Sequence, residues 1–145
     1  MNKNLLQIHA KSFYWASFFL SKKIFYQCSV LYNFCRTLDD IVDSEKQLEI
    51  RKKEFSNFKN DFLNKNLNYQ IVKEMWDLIN SQNISKIVVL DLFDGVETDL
   101  KKSLKIISKK DLLVYSYRVA GTVGLMMSKI LNVKNDEALL GAIDL

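Results

Sequence analysis

The chain has no proline and only four glycines among its 145 residues. Proline interrupts helices and strands alike, so its absence leaves nothing to break long helices, and scarce glycine argues against a turn-rich sheet fold. The expectation is an all-α fold, a single domain over residues 1–145 with a sizeable core. Cysteine is nearly absent too. Cys28 and Cys35 stand seven apart in an apolar stretch with no second pair and no nearby histidine. That excludes a disulfide framework or a cysteine–histidine zinc site and reads as buried thiols of a reducing compartment.

The only histidine is His9, and nothing near it pairs a base with an activated nucleophile, which excludes a hydrolytic triad. On its own, His9 reads as a surface or capping residue. Arginine is rare, 3 of the 21 cationic residues. The lysine pairs at 22–23, 52–53, 101–102 and 109–110 lie beside acidic or polar residues, not in a basic tract interleaved with aromatics. The net charge of +4 is therefore no nucleic-acid footprint, although a weak attraction to anionic lipid or a polyanionic substrate is compatible with it. No run approaches the ~18 apolar residues of a transmembrane span. The opening MNKNLLQIHAK has too short an apolar run for a signal peptide, so the expected location is cytoplasmic.

What is present is concentrated at residues 32–43, YNFCRTLDDIVD. Asp39 and Asp43 share a helical face one turn apart, where like charges cost a few tenths of a kcal/mol. Such a pair is useful when a hard divalent cation bridges it, because magnesium commonly stands between one or two carboxylates and a substrate phosphate. Arg36, three residues before Asp39, could reach the same anion with a guanidinium fork. The alternative, an acidic surface turn with Arg36 in an ordinary salt bridge, remains open on spacing alone. If the helix ends near Asp43, the macrodipole disfavours both carboxylates and something must compensate their charge.

In chain order, residues 9–20 form a short aromatic-rich helix, apolar on nearly all sides, with Ser12 able to cap it or bind an anion. Lys22 and Lys23 make a polar break. A second helix from Ile24 to Asp43 carries Cys28, Leu31, Cys35, Leu38 and Val42 at the 3.6-residue period, and Ser44 could cap the amphipathic helix that follows, to about Asn64. A loop over 64–68, a helix over 69–79 and a break over 81–85 come next. Ser85 then caps a helix beginning at Lys86. That helix runs into Asp91, Asp94, Gly95, Glu97 and Asp99, which is either a second metal or phosphate surface or an exposed acidic face answered by Lys101, Lys102 and Lys105. Gly95 costs about 1 kcal/mol relative to alanine inside a helix, so it marks a kink or the close approach of another element. After residues 108–110, Tyr115 and Arg118 precede Ala120, Gly121, Thr122 and Gly124. These small residues serve either close helix packing or the wall of an apolar pocket. Residues 132–136 turn the chain, Asp136 is a candidate cap, and a last helix is unterminated at Leu145.

Four blocks in this order resemble the squalene and phytoene synthase family of head-to-head trans-prenyltransferases: HAKSF (9–13), LYNFCRTLDDIVD (31–43), LFDGVETDL (92–100) and YSYRVAGTVG (115–124). The resemblance covers nearly the whole chain. It implies the isoprenoid synthase fold, represented here by an N-terminal portion of the helical bundle that stops before the second aspartate-rich motif. It further implies that Asp39 and Asp43 bind magnesium, with manganese as a substitute, and that Arg36 and Tyr115 contact the substrate diphosphate with His9 and Ser12 close by. Tyr32, Val119, Ala120, Val123 and Gly124 would belong to the cavity where the prenyl chains meet.

YRVAGTVG looks most like bacterial phytoene synthases. The implied reaction therefore joins two geranylgeranyl diphosphates to phytoene through a cyclopropyl diphosphate and needs no NADPH, a step of carotenoid biosynthesis. Farnesyl diphosphate giving squalene, dehydrosqualene or presqualene diphosphate is the alternative within the family. A non-catalytic helical subunit or fragment that binds a partner is the alternative outside it. An apolar product implies a peripheral membrane encounter, while the assembly state is left open. The family's second aspartate-rich motif has no counterpart before Leu145, so the 145-residue piece alone is expected to be inactive.

Overall fold

A computed structural model describes residues 19–101 and 108–144. The regular elements among the described residues are all helical, which the absence of proline permits. The helices are α1 (Lys22–Val42), α2 (Leu48–Leu63), α3 (Gln70–Gln82), α4 (Lys86–Glu97), α5 (Lys109–Ser116), α6 (Thr122–Ile130) and α7 (Asp136–Asp144). A 3-10 turn, Thr98–Leu100, ends α4, and a π-helical turn, Tyr117–Gly121, joins α5 to α6 without a break in the helical chain. The helix expected over residues 9–20 lies outside the described residues.

α1 is the axis of the bundle and packs on α2, α3, α4 and α6. Its stripe of Leu31, Phe34, Leu38 and Val42 is buried. Phe34 meets Phe58, Phe62 and Phe93 with ring centroids 5.5, 5.6 and 5.7 Å apart, the last edge to face. Phe62 stacks on Trp76 at 5.0 Å, and the Trp76 indole N–H donates to the Phe62 carbonyl at 2.9 Å, so the ring is buried with its polar atom satisfied. The aromatic cluster thus clamps α1, α2, α3 and α4 together and fixes the direction in which the acidic end of α1 emerges.

Several helix ends differ from the sequence expectation. α1 includes Lys22 and Lys23, because the Ser21 hydroxyl accepts from the Ile24 N–H at 3.3 Å and lysine is a good helix former. Ser44 caps nothing ahead of it. Its hydroxyl instead donates back to the Ile41 carbonyl at 3.2 Å, and α2 begins only at Leu48. α3 runs on to Gln82, where Asn83 adopts the left-handed conformation with φ 51°. Asn135, not Asp136, serves α7: its side-chain oxygen accepts from the Glu137 N–H at 2.8 Å. Ser85 caps α4 as expected, and Ser108 and Asp111 form a reciprocal capping box at α5.

Gly95 marks a close approach and not a kink. A Cβ there would lie 2.7 Å from the Arg118 Cβ and 3.0 Å from Val119 Cγ1, so α4 and the π turn touch through a residue that must lack a side chain. Gly141 on α7 has nothing within 4 Å. Substitution should therefore act with opposite sign at the two glycines. Gly95→Ala should destabilise by about 1–3 kcal/mol through overpacking. Gly141→Ala should stabilise by up to about 1 kcal/mol through helix propensity alone. Urea unfolding of both variants checks this, and a common sign would contradict the packing described.

Candidate metal and diphosphate site

α1 delivers Asp39 and Asp43 to its exposed C-terminal end. Asp43 is the C-cap, and its N–H donates to the Asp39 carbonyl at 2.8 Å, so the backbone itself ties the two residues together. No basic residue lies in the last turn of α1. The compensating charge comes from α2: the Arg51 guanidinium donates to the Val42 carbonyl at 2.6 Å, a cation on the negative end of the helix dipole. Nothing in the periodicity of α1 identifies Arg51, because the contact spans the turn to the next helix.

Arg36 is paired with Asp40 at 2.8 Å, and both side chains are well exposed, at 39% and 59%. An exposed pair of this kind is weak, about 0.3–0.5 kcal/mol, so the guanidinium is available to a stronger anion. Asp39 is held above the usual carboxylate range, first by partial desolvation and then by the charge of Asp43; Arg36 opposes the shift, and Asp40 and Asp99 add to it. A site that resists carrying its own charges is one that a cation would relieve.

The acidic block of α4 divides into three. Asp94 and Glu97 both accept from the Lys59 ammonium of α2, at 3.1 and 2.8 Å. For these two the surface ion-pair reading holds, with Lys59 in place of the downstream lysines. Asp91 accepts from the Tyr117 hydroxyl at 3.2 Å. Asp99, in the 3-10 turn, accepts from the Tyr115 hydroxyl at 2.9 Å. The Tyr115 phenol is pushed up to about 12 by desolvation, then by its bond to Asp99 and the charges of Asp99, Asp43 and Asp39. Tyr115, Asp99, Asp39 and Asp43 therefore share one electrostatic environment, although they are drawn from α1, α4 and α5. Asp99 was not singled out as a partner of the Asp39–Asp43 pair in the sequence. Its only signal was membership of the 91–99 block, which spacing could not subdivide.

The small-residue block is placed as follows. Val119 abuts Gly95, Ala120 is exposed, and Val123 packs on the core from its half-buried position. α7 lies directly over Gly124, where a Cβ would collide with the Ala142 carbonyl. Tyr32 is half-buried on α1, a turn before Arg36. Cys28 is buried, with its thiol 3.5 Å from the Met127 sulfur of α6, and Cys35 is only partly buried by surface yet pushed up to about 12 by desolvation. Both thiols are free. His9 and Ser12 lie outside the described residues. Two hollows of about 280 Å³ each lie elsewhere, one lined by Lys52, Phe55, Lys59 and Glu97 and the other by Tyr26, Gln27, Glu74 and Asp77.

Magnesium takes hard oxygen donors, often one or two protein carboxylates completed by water and phosphate. Asp39 and Asp43 fit that donor set. Among the described residues, no group of three such side chains gathers to hold a metal unaided.

Residues 6–144 match the family described as squalene/phytoene synthase. The chain belongs to this family. It is 28% identical to a bifunctional lycopene cyclase/phytoene synthase of Blakeslea trispora over 88% of its own length and 24% of that protein's. With the phytoene synthase of carrot (Daucus carota) it shares 27% identity over 86% of this chain and 32% of the relative. A 15-cis-phytoene synthase of Pantoea ananas is 24% identical over 97% of this chain and 49% of the relative. A crystal structure of a dehydrosqualene synthase with bound ligand superposes with a TM-score of 0.71 at 25% identity, covering 87% of this chain and 44% of that one. The fold is the all-α isoprenoid synthase bundle, and the chain spans between about a quarter and a half of these relatives. Plant, fungal and bacterial relatives all appear, so the match does not single out the bacterial phytoene synthases.

The raised affinity of Asp39 for its proton has a thermodynamic consequence. Its carboxyl binds a proton more tightly in the folded chain than in the unfolded one, so stability falls as pH rises from the ordinary carboxylate range through the folded value. Asp39→Asn escapes that loss. At pH 7 the variant should be more stable than the parent by about 0.2–0.5 kcal/mol, and the gain should vanish in acid, where Asp39 is protonated anyway. Urea unfolding at the two pH values checks it; a destabilised variant at neutral pH would contradict the repulsion.

Proposed function

We propose that the protein carrying this chain condenses two prenyl diphosphates head to head, with geranylgeranyl diphosphate as substrate and phytoene as product. The observation that supports the reading is the family match over residues 6–144, together with the Asp39–Asp43 pair at the C-terminal end of α1, whose charges reach the Tyr115 phenol. Asp39 and Asp43 would hold magnesium, or manganese in its place. The bound ion would supply positive charge to a departing diphosphate, which is electrostatic assistance to a heterolytic ionisation.

The chain's own residues bind and orient. Arg36, held only by an exposed partner, would swing from Asp40 to a diphosphate oxygen, where a bidentate fork is stronger. Tyr115 would face the same diphosphate, with His9 and Ser12 near it. Tyr32, Ala120 and Val123 would surround the prenyl chains and keep water from the allylic cation, while Val119 and Gly124, packed on Gly95 and α7, would shape that wall from behind. That cation is attacked by the double bond of the second substrate. Proton loss from the resulting cation closes the cyclopropane; the cyclopropyl diphosphate then loses its own diphosphate, the carbon skeleton rearranges, and loss of a second proton gives phytoene without a reductant. Because the chain covers at most about half of its phytoene synthase relatives, the second carboxylate platform would be supplied by the remainder of the protein. No described helix is long and apolar enough to cross a membrane, and the apolar product would leave by a peripheral membrane encounter.

A second reading takes farnesyl diphosphate to dehydrosqualene or squalene, and the superposition on a dehydrosqualene synthase favours it specifically. Product analysis separates the two. The full-length protein with magnesium should convert geranylgeranyl diphosphate to phytoene, and the 145-residue chain should give no product. Asp39→Ala and Asp43→Ala should each abolish turnover. A C30 hydrocarbon from farnesyl diphosphate, with none from the longer substrate, would select the second reading. Full activity in Asp39→Ala would overturn both.

A further inference from the structure

The Asp99–Tyr115 bond joins the acidic turn after α4 to the helix that follows, and neither the sequence motifs nor the family match gives Asp99 a task. We propose that Asp99 is a positioning residue, which accepts the hydrogen bond of the Tyr115 hydroxyl and so fixes where that hydroxyl stands. The proposal rests on the prenyl diphosphate reading for its kinetic consequence.

The geometry is fixed on both sides. On the Asp99 side, the Thr98 hydroxyl donates to the Gly95 carbonyl at 2.5 Å, the Lys101 N–H closes the turn on the Thr98 carbonyl at 3.1 Å, and Leu100 is buried. The turn cannot drift from α4, and α4 is seated against the Tyr117–Gly121 turn through Gly95. On the other side, Tyr115 sits in the last turn of α5, directly before that π turn. The hydroxyl-to-carboxylate distance of 2.9 Å is thus set by two elements that are themselves locked together.

Direction follows from chemistry. An ionised carboxylate only accepts, and a phenol has one proton, so Tyr115 donates to Asp99. To any other partner the phenol oxygen then offers lone pairs alone. Tyr115 would accept from a water or a protonated phosphate, and it would donate to a diphosphate oxygen only by giving up Asp99. This sharpens the expectation that Tyr115 contacts the diphosphate: the contact runs through an acceptor. An amide at position 99 keeps an accepting oxygen and loses the charge, while an aliphatic side chain loses both.

The test compares Asp99→Asn with Asp99→Leu by steady-state kinetics in the full-length protein. It also compares them by the 13C shift of the Tyr115 ζ-carbon in the 145-residue chain, assigned through Tyr115→Phe. Asp99→Leu should lower kcat by about 10–100-fold, the usual effect of losing an outer-shell partner, with KM little changed. Asp99→Asn should restore most of that loss. The ζ-carbon shift should move towards that of free tyrosine in Asp99→Leu and stay near the parent value in Asp99→Asn. Equal activity in both variants and the parent, or equal loss in both, would overturn the proposal. So would an unmoved ζ-carbon shift in Asp99→Leu, whatever the kinetics. If the parent protein turns over neither prenyl diphosphate, the functional reading fails by itself, and the carbon shift still decides whether Asp99 holds Tyr115.

Discussion

Repulsion between Asp39 and Asp43 is the constraint around which this part of the fold is organised. Two carboxylates one turn apart at the negative end of a helix are unfavourable three times over: by mutual charge, by the dipole, and by partial desolvation. The chain tolerates them because the rest of α1 is secured by an aromatic core and because Arg51 reaches across to the Val42 carbonyl. The charge of this helix end extends to the Tyr115 phenol, which Asp99 holds at 2.9 Å. Electrostatic tension of this kind is common where function is built.

The two halves of the site are positioned by the same packing event. Gly95 lets α4 press against the π turn, and that contact sets both where Asp99 leaves α4 and where Tyr115 leaves α5. The π turn itself adds a residue to the helix just where small residues lie, a local departure often found beside functional sites. Gly124 admits α7 in the same way, so the small-residue block serves helix contacts at these positions.

Much of this was legible in the sequence, for identifiable reasons. The absence of proline and the 3.6-residue stripe through Leu31, Leu38 and Val42 gave the helices, and the four ordered blocks gave the family. Helix ends were less legible because a hydroxyl such as that of Ser44 can close the helix behind it as readily as open the one ahead. The acidic block could not be sorted either, since whether a carboxylate meets Lys59, Tyr117 or Tyr115 depends on partners 16 to 38 residues away. Arg51 carries no sequence signal for that reason, and Asp99 none beyond membership of the 91–99 block: their contacts exist only in the packed bundle. The π turn has no sequence period of its own.

The central claim is that Asp39, Asp43, Asp99 and Tyr115 form one site for a magnesium–diphosphate unit. An NMR titration of the isotopically labelled chain with inorganic diphosphate, with and without magnesium, tests it most directly. The account predicts magnesium-dependent shift changes that cluster at the end of α1, in the Thr98–Leu100 turn and at the end of α5, with the Lys59, Asp94 and Glu97 group unaffected. Changes centred on that lysine group, or changes indifferent to magnesium, would contradict it.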